Sequence, residues 1–241
     1  MGLLAAVGVY LAPSSTALQV GGPSRGAGGP QNPGSVRVLD PGKPAFGKTY
    51  GEWASAWWEW AFSFHADMNP VFDDTGQFCD LGQSGPVWFL AGNFGVGTFV
   101  RTCTVPHGKA LFFPLYNGVS FAPEFGTTVE EIRADVNEDI EVDALGLTLA
   151  CTINGEPIGD LFAYRAQSPP GGFVLESDAL LMDSGFDPGP RDPAVADGYW
   201  LMVKGLPPGE NTLNIQAAFG AFFLDVTYFL TMQPGGGPGG R

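Results

Sequence analysis

Two short segments carry the residue types of an acid–base pair. "VFDDTGQF" contains Asp74-Thr75-Gly76, and "LLMDSGFD" contains Asp183-Ser184-Gly185. Asp-Thr/Ser-Gly loops after apolar residues are how an aspartic protease holds two carboxylates that share one proton. The surroundings weigh against that chemistry. Such an enzyme needs two lobes and an extended apolar strand pattern around each loop. Asp183 instead lies in "SDALLMDSGFDPGPRDP", which reads as an irregular acidic loop.

Other chemistries meet similar obstacles. A serine hydrolase needs serine, histidine and an acid together, and the chain has only His65 and His107. The nucleophile-elbow pattern GxSxG is missing, because "GQSGP" around Ser84 has Pro86 where the second glycine belongs. His107 sits in "CTVPHGKALFF" beside Gly108 and Lys109 and reads as a turn residue, while His65 follows an aromatic helix. Glycosidases use paired carboxylates. Those near aromatics are Glu52, Glu59, Asp73, Asp74 and Glu124. The six residues to seek in one cleft are Asp73, Asp74, His107, Lys109, Tyr116 and Glu124.

No metal-ligand spacing is present. In "DVNEDIEVDALG" the residues Asp135, Asn137, Asp139 and Glu141 alternate, but an EF-hand loop needs glycine where Ile140 stands and glutamate where Gly146 stands. A solvated acidic helix face is the better reading. Calcium is the one cofactor left open, with Asp73-Asp74 in a turn as its seat.

There are three cysteines and no CxxC. In an exported chain the economical pairing joins Cys79 to Cys103, closing a loop of about two dozen residues. Cys151, inside an expected strand, is then a buried free thiol, or it displaces one partner. A nucleophilic Cys151 would need exposure and a neighbouring base.

Composition limits partners and compartment. The 241 residues include 25 acids against 11 Lys and Arg, a formal charge of −14. Such a surface repels phosphate backbones, so nucleic acid is not an expected partner. Leu3 to Ala12 is an apolar run of signal-peptide length followed by small residues, though no basic segment precedes it. Residues 1–17 therefore read as a signal peptide. Residues 18–45 are rich in Gly, Pro and Ser and read as a disordered linker, 46–232 as one globular domain, and 233–241 as a second Gly/Pro-rich tail. No later stretch has the length and apolarity of a membrane-spanning helix.

The elements that would position any site are mostly strands. "TYGEWASAWWEWAFSF" predicts a helix, with Thr49 as cap, Glu52 closing a capping box, and Trp53, Trp57, Trp60 and Phe64 on one face. Trp58 and Glu59 fall away from that face. Trp58 and Trp60 are the candidates for a sugar-stacking platform, though such a stripe is more often core. "TTVEEIRADVNEDI" predicts a second, short helix capped by Thr128, with Val129, Ile132, Val136 and Ile140 inward. "GPVWFLAG", "KALFFPLYN", "LTLACTI", "EPIGDLFAY", "GYWLMVKGLPPGENTLNIQAAF" and "AFFLDVTYFLTM" read as short strands, with Asn154-Gly155 a hairpin turn. The expected fold is mainly β, a single β-sandwich or jelly-roll-like domain with an N-terminal aromatic amphipathic helix and one further short helix.

The blocks "YGEWASAWWEWAFS", "NPVFDDTGQFCDLGQSGPVWFLAG", "RTCTVPHGKALFFPLYNG" and "ADGYWLMVKGLPPGENTLNI…LDVTYFLT" resemble a family of exported bacterial proteins of no established activity. The likeness runs from about Tyr50 to Met232. It implies secretion, to the periplasm or outside the cell, and a paired-cysteine core. Members of that family tend to carry histidines after the closing Pro-Pro-Gly turn, in a pattern like PGxHTIHF. Here the positions hold Asn211 and Asn214, which puts any metal role in doubt.

The expected function is binding or structural, with a glycan or a protein as ligand. Trp58, Trp60, Lys109 and Tyr116 are the binding candidates. The alternative is an extracellular hydrolase acting on glycosides or peptides, with Asp73, Asp74, His107 and Glu124 as catalytic candidates. Oligomeric state is not legible.

Overall fold

The computed structural model describes residues 36–141 and 146–235. The signal-peptide segment lies outside the described residues, as do residues 18–35 of the expected linker and 236–241 of the tail. The protein is mainly β, with two five-stranded mixed sheets and three α-helices.

The first sheet runs β1 (Arg37–Val38), β8 (Arg191–Lys204), β4 (Ala110–Phe121), β2 (Val87–Phe89), with β7 (Phe173–Leu175) also paired to β8. The second runs β3 (Gly97–Val105), β10 (Phe222–Met232), β9 (Gly209–Phe219), β5 (Thr148–Ile153), β6 (Glu156–Pro157). Most pairs are antiparallel. Two are parallel, β2 with β4 and β3 with β10.

β4 and β8 are buried on nearly every residue, as expected of strands covered on both faces. On one face Leu111, Phe113, Leu115, Leu201 and Val203 share a core with Leu213, Ile215, Val226, Tyr228 and Leu230 of the second sheet. On the other face Phe112, Phe121, Trp200 and Met202 pack against the tryptophans of α1 (Tyr50–Phe62). Phe112 and Trp200 stack at 5.3 Å.

α1 begins as its sequence dictates. Thr49 and Glu52 form a reciprocal capping box. Gly51 is required by contact, since a Cβ there would stand 1.9 Å from the Gln167 carbonyl oxygen. The helix is buried more widely than one stripe. Trp58 is 2% exposed and packs against Phe62 and Phe94, so the placement of Trp58 on an outer face is corrected. α2 (Val129–Ile140) has the same capping box, Thr128 with Glu131, and buries Ile132, Val136 and Ile140.

Several elements differ from expectation. Residues 36–45, composed like linker, are in place. β1 pairs with β8, and the Leu39 N–H donates to the Met202 carbonyl at 2.8 Å. Tyr50 explains the hold, because its hydroxyl donates to Leu39 O at 2.7 Å and accepts from Met202 N. "EPIGDLFAY" yields only the two residues of β6, then a 3₁₀ turn at Leu161–Tyr164. α3 (Ala179–Asp183) forms inside the stretch read as an irregular loop, so there are two further helices rather than one. Asn154-Gly155 is the expected turn, with φ of 53° and 82°.

Candidate functional site

The expected site residues do not converge. Asp73 is buried in the turn that leads to Cys79. Its Oδ1 accepts from Thr75 N at 2.8 Å, Thr75 Oγ1 at 2.9 Å and Gly76 N at 2.9 Å, and its Oδ2 accepts from Phe78 N at 2.8 Å. Burial pushes its pKa up, but the bonds from Phe78, Thr75 and Gly76 prevail and hold it below the usual carboxylate range. A carboxylate so filled is a turn anchor. Asp74, next to it, is exposed.

The turn docks on the edge of β3. Thr102 N donates to Thr75 O at 2.8 Å, and a Cβ on Gly76 would stand 2.2 Å from the Thr102 carbonyl oxygen. Cys79 and Cys103 are joined by a disulfide beside this contact, as the economical pairing expects. Cys151 is free and buried, and burial pushes its thiol up to about 12. That removes the nucleophile reading, because the thiolate is the reactive form.

The remaining candidates are dispersed. Asp183 accepts from Ala66 N at 2.6 Å and meets His65 Nδ1 at 3.1 Å, fastening the segment after α1. These two contacts, the backbone bond first, hold its pKa low. Asp74 and Asp183 make no hydrogen bond to one another among the described residues, so the shared-proton dyad is not formed. Glu124 accepts from Arg191 Nε at 2.9 Å. His107 is exposed at the β3–β4 turn, and Lys109 Nζ donates to Gly85 O. Trp60 is 6% exposed with its Nε1 donating to Leu81 O, and Trp58 is more buried still. Neither offers a ring face to a sugar. The stacking platform is corrected to core.

Among the acidic residues of α2, helical geometry replaces alternation. Asp135 accepts from Ser120, Asn137 from Gln167, and Glu141 lies 3.6 Å from Arg165. Gln167 also donates to Asp197, which is fully buried and held bidentately by Arg165 at 3.1 and 2.6 Å. Burial, then Asp135 and Glu138, push the pKa of Asp139 up to about 6. Among the described residues no three His, Cys, Asp or Glu side chains converge as metal ligands. Asn211, where the resembling family tends to carry histidine, is buried and bonded to Pro207 and Gly209 carbonyls, and Asn214 donates to Asp225 and Thr227.

Of the expected residues, Tyr116 lines a cavity with room for small molecules, while Trp60 and Asp73 border a second recess too tight for water. The cavity opens between α1, β4 and the β9–β10 turn, with about 60 Å³ of space for water-sized molecules. Trp57, Val71 and Phe94 form one wall, and Pro114, Leu115 and Leu224 another. Phe219 and Phe222 stack at 4.9 Å beside the space, each edge-on to Tyr116 at 5.5 and 5.9 Å. Asn93 and Asn117 complete the lining. Among the described residues no carboxylate, histidine, thiol or cation lines it. Burial, helped by Asp139, pushes the Tyr116 phenol up to about 12, so it stays neutral.

The wall at residues 91–93 is held by Arg101, which is 1% exposed. Its Nη1 donates to Ala91 O at 2.9 Å, Gly92 O at 2.7 Å and Tyr228 Oη at 2.8 Å. Its Nε and Nη2 make no hydrogen bond among the described residues, and the guanidinium lies over the Tyr228 ring at 5.5 Å. Sequence reasoning passed over Arg101, Asn93 and Asn117. The signal for Arg101 was available: alternation in "GTFVRTCTV" places it inward with Cys103 and Val105. Asn117 is likewise the one amide within the apolar run of β4.

Comparison with protein-family models, with curated proteins and with solved structures finds no match. Among the described residues no helix is long and apolar enough to cross a membrane.

Proposed function

We propose that the chain is an exported β-sandwich protein that binds a small neutral molecule, with the cavity beside Tyr116 as its seat. The observation that carries this reading is the lining: aromatic and aliphatic side chains with two amides and no acid–base pair. Apolar concavity with a few polar groups is the ordinary form of a ligand site. Two sheets sharing one core, with α1 on the far face of the first, support the sandwich. The apolar segment at Leu3 to Ala12, the Cys79–Cys103 bridge and the resemblance to exported proteins support secretion. The hydrolase alternative is weaker, because Asp73 and Glu124 are spent on structural bonds.

The experiment titrates the protein with 2-methylpropene, small enough for the space, reading Trp57 indole and Leu115 methyl shifts by NMR. Saturable shifts that vanish in Leu224→Trp, whose larger ring fills the space, are expected. No saturable shift, or turnover of generic glycoside or peptide substrates lost in Asp73→Asn or Asp74→Asn, overturns the reading in favour of the hydrolase.

A further inference from the structure

The second sheet is covered on one face only. Burial alternates along β3, β9 and β10, so that Arg101, Ile215 and Tyr228 face the core and the residues beside each face out. The helices pack against the first sheet and leave this outer face open. The register places Asp225 beside Gln216, Thr227 between Val100 and Asn214, and Phe229 between Thr102 and Thr212.

Two properties set this face apart from an ordinary solvated one. It holds large apolar groups in the open, with Val100 54% exposed, Phe229 45% and Phe223 49%. The two phenyl rings belong to residues about 20 Å apart along β10, six strand positions, with Asp225 and Thr227 between them. Its polar groups are also held in place. Asn214 Nδ2 donates to Asp225 Oδ1 at 2.6 Å and to Thr227 Oγ1 at 3.0 Å, and Gln216 Nε2 donates to Asp225 Oδ2 at 3.2 Å. Each Asp225 oxygen thus accepts one side-chain bond and has capacity for another.

We propose that this face binds an extended, uncharged polysaccharide chain, with Phe229 under a sugar ring and the Asp225 cluster meeting its hydroxyls. A sugar ring presents a face of C–H hydrogens, which suits the negative face of a phenyl ring. Its rim of hydroxyls suits a carboxylate and amides. Charge narrows the class. Among the described residues Arg101 is the only cation in β3, β5, β9 and β10, and it faces inward, whereas Asp225 and Glu210 face out. An anionic glycan or a phosphate group would therefore be repelled, and a second copy of the chain would bring like carboxylates together. The site is separate from the cavity, whose Phe222 and Leu224 lie on the opposite face of β10.

The test titrates the full chain with cellohexaose, xylohexaose and mannohexaose, and with hexagalacturonate as the charged comparator, reading backbone amide shifts by NMR. Saturable shifts at Thr227 and Phe229 are expected with at least one neutral chain and not with hexagalacturonate. Phe229→Thr, which matches its neighbours Thr102 and Thr212, is expected to weaken that binding about tenfold, the worth of covering the open part of a phenyl ring. Gln216→Ala, at an exposed position, is expected to weaken it about fivefold and serves if Phe229→Thr does not fold.

Absence of saturable shifts on this face with every neutral chain overturns the proposal, as does hexagalacturonate binding equally well. An affinity that moves in neither variant, or not in whichever one folds, overturns it too. A dimer in sedimentation that Phe229→Thr dissolves would assign the face to a second copy instead.

Discussion

Arg101 Nη1 donates to the Tyr228 hydroxyl at 2.8 Å, and that hydroxyl in turn donates to Ala91 O at 2.8 Å. The relay joins two paired inward residues of the parallel β3–β10 pair to the segment that leads into the cavity wall at Gly92 and Asn93. It also buries a cation that has no ion pair among the described residues. Removing the Tyr228 hydroxyl is expected to cost about 1 kcal/mol, read as a lower denaturation midpoint for Tyr228→Phe.

The charge itself sets a ranking at 101. Arg101→Lys keeps a buried cation but loses the guanidinium reach that brings Nη1 to the Ala91 and Gly92 carbonyls, so it is expected to cost about 3 kcal/mol. Arg101→Met drops the charge and fills most of the volume, and about 1–2 kcal/mol is expected. Urea unfolding measures both. A Met variant less stable than the Lys variant would show that the desolvation cost of the cation is not what governs this position.

Acid should act on two carboxylates in opposite directions. Asp139 has its folded pKa raised to about 6, so the stability it contributes is present below the unfolded value and lost as pH rises from about 4 to 6. Asp73 is lowered, so its contribution is present above the unfolded value and lost as pH falls through the folded one. Asp139→Asn is therefore expected to raise the melting temperature at pH 7.5 and leave it unchanged at pH 4. Asp73→Asn should lower it at pH 7.5, with the gap closing in acid. Melting scans across pH 3–8 decide the matter, and parallel curves for Asp139→Asn and wild type would refute the first assignment.

The bridge between Cys79 and Cys103 closes a segment with a sequence separation of 24. In the chain-entropy model a loop of that size contributes about 3 kcal/mol. The double variant Cys79→Ser/Cys103→Ser should lose that amount by denaturant unfolding. The same variant should also show faster amide exchange at Thr102, whose N–H is paired to the tethered turn.

Cys151 should be inert while the fold is intact. Its thiol is pushed up to about 12 and sits 1% exposed between the sheets. An aromatic disulfide reagent is expected to titrate no thiol in the native protein and one after unfolding. Prompt native labelling would show that the β5–β9 pair opens far more readily than its packing implies.

What the chain declared in advance was its local chemistry. The Thr49–Glu52 box, the Asn154-Gly155 turn and the inward face of α2 depend on residues a few positions apart, and each formed where its pattern lay. β1 was hidden because Gly, Pro and Arg around Val38 carry no strand signal, and its place comes from Tyr50 and Met202. The breadth of burial on α1 was hidden for a similar reason. One helix face accounts for four aromatics, and Trp58, outside it, is stacked under Phe94 from a distant loop. The cavity was least legible, since Trp57, Asn117 and Phe222 meet across three elements and none belongs to a recognisable motif. Acidic residues drew attention by their type. The structure spends them on turns, caps and ion pairs.

The parallel pairing of β3 with β10 has a consequence for how the protein is made. Gly97–Val105 finds its neighbour only in Leu224–Met232, more than a hundred residues later. The second sheet therefore cannot close until Leu224–Met232 has been made, and such distant pairings form slowly. Until then the inward residues of β3, Arg101 and Cys103 among them, wait without their sheet neighbour, so the grip on the 91–92 segment is among the last contacts to form.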